Sequence, residues 1–238
     1  MYRTSNIYNR IHLHTTKSYI ILNLLMHTYV KLLEKVVDTY TPARQLSFNI
    51  VHIFKALQLA KINGHISRDL LRKELSLGDG SVKTLIKHLK ITNMIKTSNA
   101  GTILTEKGEK IISNILSCIP NETDIQKSSI TIGKFNYVVL VKDIADAIKS
   151  GIEQRDIAIK AGAIGATTLI FQNGIFLIPG TNFNALSEEP QIQKKLIESL
   201  HPESNDVIII GSDHKSRKIA ELATKYAALF TIINHVKH

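Results

Sequence analysis

Two kinds of periodicity along this 238-residue chain predict an α+β protein in two parts. Before residue 117 the apolar side chains recur mostly at helical spacing. Beyond residue 130 strand-like runs alternate with helical ones, and Asn173-Gly174 marks a hairpin between two of them. Charge divides near the same place. Residues 1–127 carry 18 Lys and Arg against 9 Asp and Glu, a net +9, whereas residues 128–238 carry 12 against 11, a net +1. A basic half beside a neutral one calls for a polyanionic partner at the basic end, nucleic acid ahead of a membrane surface.

Composition narrows the classes further. Apolar residues make up 44% of the chain, enough to build a core. The single cysteine, Cys118, excludes an internal disulfide and any multi-thiolate metal site, and it suits a reducing cytoplasm. No apolar run exceeds five residues, far short of the ~20 that span a bilayer. Arg3, Arg10 and Lys17 precede an apolar stretch at 19–26, but Asn23 interrupts it and no small-residue cleavage site follows. A cytoplasmic protein without membrane attachment is the expectation.

Taken in order, residues 1–43 read as a tail and an amphipathic helix at 19–37, with Leu22, Leu25, Tyr29, Leu32, Leu33 and Val36 on one face. Thr39-Tyr40-Thr41-Pro42 stops it. A second helix runs from a Ser47 cap to about Lys61, and Asn63-Gly64 closes it. Ser67 caps a short helix ending near Leu75. Leu77-Gly78-Asp79-Gly80 makes a turn, and Val82, Leu85, Ile86 and Leu89 form the inner stripe of a helix over 81–90. Residues 94–97 and 102–104 pair around Ser98-Asn99-Ala100-Gly101, and Thr105 caps a helix to about Leu116.

The polar stretch 118–129 reads as a linker. After it, 136–142 is a strand and 143–161 a helix with a break at Ser150-Gly151. Strands at 167–172 and 175–178 form the hairpin, and a helix follows at 190–200. Residues 206–210 form a wholly apolar buried strand, and a helix at 214–236 completes the chain. The order β-α-β-β-α-β-α over 130–238 predicts a two-layer sandwich with helices on one face of a largely antiparallel sheet.

Residues 44–117 thus run helix, helix, tight turn, helix, hairpin, helix, the order of a winged helix-turn-helix. In that module the third helix enters the major groove of double-stranded DNA. Its outward residues here are Ser81, Lys83, Thr84, Lys87 and Lys90, cations for phosphate and hydroxyls for base edges, and the hairpin adds Lys96 and Asn99. No arginine lies in 81–90, which disfavours bidentate reading of guanine.

Two segments carry a family resemblance. Ile66-Ser67-Arg68 through Leu77-Gly78-Asp79-Gly80-Ser81-Val82-Lys83-Thr84-Leu85-Ile86-Lys87, then Leu104-Thr105-Glu106-Lys107-Gly108-Glu109, is similar to archaeal winged-helix regulators. The run from Ser150-Gly151-Ile152-Glu153-Gln154-Arg155-Asp156 to Ala161-Gly162-Ala163-Ile164-Gly165-Ala166-Thr167-Thr168 resembles an archaeal family that joins such a head to a C-terminal domain of unknown function. The resemblance covers about 39–230. It implies a transcriptional regulator with a small α+β second domain, and it supplies no ligand or reaction.

Within that second domain Arg155, Asp156 and Lys160 precede Thr167 and Thr168. They form either a pocket for a small anionic effector or a solvated helical face. Gly211-Ser212-Asp213 lies between a strand and a helix, where Ser212, Lys215 and backbone N–H groups would hold phosphate or simply cap the helix. No catalytic residue, metal site or cofactor is predicted, because Cys118 has no local partner and the histidine pairs lack a third ligand. A regulator acting as a homodimer, joined by the final helix or by the helix at 19–37, is the expected function. The alternatives are a small-molecule enzyme domain docked by a winged helix, or a protein- or RNA-binding adaptor.

Overall fold

The computed structural model describes residues 27–38, 46–98 and 101–235. The first 26 residues, the stop at 39–42 and Asn99 lie outside the described residues. The first half contains helix α1 (27–38), α2 (Ile50–Asn63), α3 (Arg68–Leu75), α4 (Asp79–Ile91), strands β1 (Ile95–Ser98) and β2 (Gly101–Leu104), and α5 (Glu106–Cys118). The second contains β3 (Glu122–Ile125), β4 (Phe135–Val141), α6 (Ile152–Lys160), β5 (Gly165–Gln172), β6 (Ile175–Leu177), α7 (Pro190–Leu200), β7 (Val207–Asp213) and α8 (Arg217–His235). The fold is α+β.

Local chemistry sets most boundaries. Asn49, not Ser47, caps α2: its Oδ1 accepts the Val51 N–H at 3.1 Å, while His52 Nδ1 accepts the Asn49 N–H at 3.2 Å. Gly64 ends that helix in the left-handed region at φ 74°. Ser67 Oγ accepts the Leu70 N–H, and Thr105 Oγ1 accepts the Gly108 N–H, so both expected caps are in place. Gly108 also lets α5 approach the entry to β1. A Cβ there would lie 2.0 Å from the Met94 carbonyl oxygen.

The second half is built on one antiparallel sheet of order β3-β4-β7-β5-β6. Alternate residues of its central strands serve two cores. Tyr137, Val139, Val141, Val207 and Ile209 face α8, whereas Val138, Leu140, Ile208 and Ile210 pack with Ile192, Leu196 and Leu200 of α7. The sequence placed the helices on one face. They lie on both, because β4 and β7 are apolar at consecutive positions and each face must be covered.

Two further expectations are corrected. The supposed linker 118–129 contains β3, which pairs with β4 as an edge strand of the sheet. The helix expected over 143–161 begins only at Ile152. Asp143 takes a positive φ of 50°, and the Ile144 and Ala145 N–H groups donate to the Asn205 carbonyl, so this stretch is tied to a loop instead. Along the final helix Leu229, Ile232 and Ile233 are buried together with Ala220, Ala223 and Thr224, while Leu222, Tyr226 and Phe230 are partly exposed.

The two halves share a single core. Buried residues of α1 to α5 form one cluster with Tyr137, Val139, Val207, Ile209 and the α8 residues Ala220, Ala227, Leu229 and Ile232. A polar knot lies inside the same contact. Lys55 of α2 pairs with Glu221 of α8, and Lys225 Nζ reaches Glu221 Oε1 at 2.7 Å, Gln58 Oε1 at 2.7 Å and Glu122 Oε1 at 3.0 Å. Lys55, Glu221 and Lys225 are each at most 4% exposed.

Candidate nucleic-acid interface

Helix α4 separates its residues by face, as its spacing demands. Val82, Leu85 and Leu89 are fully buried, and Lys83, Lys87 and Lys90 are exposed. His88 belongs to the inner side: its Nδ1 bonds the Val36 carbonyl of α1 at 2.8 Å, and its ring meets Phe48 edge-on at 5.4 Å. This helix is thereby held from behind by α1 and turned outward by its lysines.

The outward face continues onto α3. Arg68, Lys83, Ile86, Lys87, Lys90 and Ile91 line one open depression of about 280 Å³. Arg68 is the contribution that sequence reading missed. It occupies the first position of α3 after the Ser67 cap, and no local signal in the sequence sets it beside α4. Lys83 Nζ lies 2.7 Å from Asp79 Oδ2, one turn back, and the ammonium holds that carboxyl below the usual carboxylate range.

The other expected residues fall into place unevenly. Ser81 is half-buried at the start of α4. Thr84 donates its hydroxyl to the Gly80 carbonyl at 3.0 Å, so that donor is already used within its own helix. Lys96 is exposed on β1, and Asn99 lies outside the described residues. The hairpin is anchored to the head by paired bonds between Ile66 and Thr102, with N···O distances of 2.8 and 3.3 Å. Lys107 Nζ donates to the Thr92 carbonyl at 2.8 Å, fastening α5 to the end of α4.

The expected anion site in the second half does not converge. Arg155 donates to its neighbour Asp156 at 2.9 Å on the exposed face of α6, and Lys160 is exposed near the end of that helix. Thr167 donates to the Ile130 carbonyl at 2.7 Å. Thr168 projects from the other face of β5 and is buried, a Cβ on Gly151 falling 2.9 Å from its own Cβ. Ser212 belongs to β7 and donates to Asn136 Oδ1 at 2.7 Å in the interior. The strand runs on to Asp213, so no phosphate cradle forms at Ser212. Asp213 Oδ1 accepts the Lys215 and Ser216 N–H groups at 2.7 Å, while the Lys215 side chain stays in solvent. The depression beside β5 and β6, lined by Ile170, Gln172, Leu177 and Thr181 among others, contains no charged side chain.

Reactive groups are sequestered. Burial pushes the Cys118 thiol up to about 12, which leaves no thiolate near neutral pH. Among the described residues no three His, Cys, Asp or Glu side chains are grouped to hold a metal ion, and no helix is long and apolar enough to cross a membrane.

Residues 132–232 match the family model described as a domain of unknown function, DUF4443. Residues 51–110 match the model described as PH0730-like, N-terminal domain. Among solved structures, the chain is similar to the hypothetical protein PH0730 from Pyrococcus horikoshii OT3, at 24% identity and a TM-score of 0.62. The match covers 80% of this chain and 94% of that one, so the two halves recur together in an archaeal protein of the same fold. No curated protein matches the chain.

Proposed function

We propose that this protein is a cytoplasmic transcriptional regulator that binds double-stranded DNA through a winged helix-turn-helix formed by α2 to α5. One observation carries the reading: Arg68, Lys83, Lys87 and Lys90 surround a single open depression on the α3–α4 face of the basic half. On this reading α4 enters the major groove, and the three lysines neutralise phosphates along its walls. Arg68, with its planar fork, takes a phosphate across the groove edge, and Lys96 reaches the backbone from the hairpin. The neutral second half keeps off DNA and joins two heads, so that two copies meet half-sites about one helical turn, ~34 Å, apart.

The test is duplex binding by the full chain, followed by fluorescence anisotropy across a salt series. Neutralising about five phosphates per head predicts a log–log salt slope of roughly −4.5 for one head and about −9 for a two-headed complex. The double variant Arg68→Ala/Lys87→Ala should flatten that slope and weaken binding to any duplex. Absence of binding at low salt, or a double variant that binds as the parent does, overturns the reading.

A further inference from the structure

The outermost stripe of α4 is poor in hydrogen-bond donors. At about 100° per residue, the positions opposite the buried Val82, Leu85 and Leu89 are Gly80, Thr84, Lys87 and Ile91. Lys83 and Lys90 flank that stripe on the side of the α3–α4 depression. A recognition helix meets base edges with its N-terminal residues, which on this stripe are Gly80 and Thr84. The helix contains no Arg, Asn or Gln, the side chains that hold guanine or adenine by two bonds at once. The Asp79 carboxylate and the Lys83 ammonium pair at 2.7 Å, so each already has a partner. Ser81 stands one turn before the buried Leu85 and is itself half-buried.

Thr84 has no hydrogen to offer. Its hydroxyl donates to the Gly80 carbonyl at 3.0 Å, within the same helix. What remains to meet a partner is a methyl group and an oxygen that only accepts. Guanine presents two acceptors in the major groove and finds no donor there. Thymine presents a methyl group, against which a threonine methyl packs.

Gly80 has no internal reason to be glycine. It lies inside the helix without a positive φ, and nothing comes within 4 Å of where a Cβ would sit. Alanine would fit that space and favour the helix, so neither packing nor backbone conformation explains the residue. Gly78, equally open, has a role of its own as the N-cap of α4. A missing Cβ on the outward stripe, one turn before Thr84, lets another molecule come closer to the helix backbone.

We propose that Gly80 and Thr84 are the base-reading surface of α4 and that they read thymine. Gly80 lets the helix settle onto the base edges, and the Thr84 methyl packs against the C5-methyl group of a thymine. The lysines beside them hold phosphates. The proposal rests on the duplex-binding reading and supplies its specificity.

The experiment selects tightly bound duplexes from a randomised pool with the full chain. The recovered duplex is then remade with deoxyuridine in place of each thymidine in turn, which removes one methyl group and nothing else. At one or more of these positions the parent should bind about fourfold more weakly, the worth of one buried methyl. Thr84→Ser keeps the hydroxyl and loses the methyl. It should bind the thymine duplex about fourfold more weakly than the parent does, and no longer distinguish deoxyuridine at that position. Gly80→Ala should melt no lower than the parent, yet bind the recovered duplex weaker by about tenfold or more. A pool that yields no shared sequence overturns the proposal, as does a parent indifferent to every deoxyuridine. So does a Thr84→Ser protein that discriminates as the parent does, or a Gly80→Ala protein that binds as the parent does. In each of these cases a salt-dependent affinity for unselected duplex leaves the DNA-binding reading standing, whereas a parent that binds no duplex at low salt removes both.

Discussion

Lys55 on α2 and Glu221 on α8 lie 166 positions apart in sequence and form a buried ion pair where the two halves meet. Burial alone would raise the Glu221 carboxyl, but the ammonium groups of Lys225 and Lys55 outweigh it and hold the group below its usual range. The Lys55 ammonium is drawn below its ordinary value, chiefly by burial. Lys225 completes the arrangement through Glu122 and Gln58, and its ammonium also lies 5.5 Å from the Tyr137 ring centre. Glu74 of α3 also lies 3.8 Å from the Lys55 ammonium, so Glu221 is the carboxylate that the two halves share.

Glu221→Gln should therefore destabilise the whole molecule. It leaves two lysines, 4% and 1% exposed, with one carboxylate fewer between them. Breaking a buried pair from one side costs about 3–5 kcal/mol. Chemical denaturation should show that loss in one transition common to both halves, because their apolar core is continuous. A loss below about 1 kcal/mol, the range of solvent-screened pairs, would refute the buried assignment.

On α4 the two faces should respond oppositely. Leu85→Ala removes a fully buried side chain and should cost about 2–5 kcal/mol through lost burial and a cavity. Lys87→Ala, at an exposed position, should change stability by no more than about 0.5 kcal/mol while weakening duplex binding. Melting curves and anisotropy on the same preparations separate the two effects. A Lys87→Ala protein that melts early would mean the faces are assigned backwards.

Acid should act through His52. Burial holds its imidazole down to about 4 from an ordinary 6.5, so the folded protein keeps it neutral over a range in which the unfolded chain takes up a proton. The stabilisation is fully present above pH ~6.5 and is lost as pH falls towards 4, amounting to up to about 3 kcal/mol. Protonation also removes the Nδ1 lone pair that accepts the Asn49 N–H in the α2 cap. Stability measured from pH 7.5 to 4.5 should fall less steeply in His52→Gln than in the parent. Parallel profiles would show that another group controls the decline.

Local sequence determined what depends on neighbours along the chain. The stripe Val82, Leu85 and Leu89 placed Lys83, Lys87 and Lys90 outside before any tertiary information, because a helix repeats every 3.6 residues. Ser67 and Thr105 announced their helices, and Asn173-Gly174 its hairpin, through hydrogen bonds and backbone angles confined to a few residues. Other features depend on partners distant in sequence, and only the tertiary structure decided them. Glu122 and Asp124 look like linker residues in a polar stretch, yet they sit in a strand whose charges answer Lys225 and Arg217 of α8. Arg68 joined the basic face because α3 packs beside α4, a relation no periodicity encodes. Ser212 looked like a turn residue but is buried in β7, since antiparallel pairing with Phe135 to Val141 on one side and Gly165 to Ile170 on the other extends that strand beyond its apolar run. Short-range geometry can be read from one segment at a time; burial of charge and strand length are settled by what the rest of the chain brings against them.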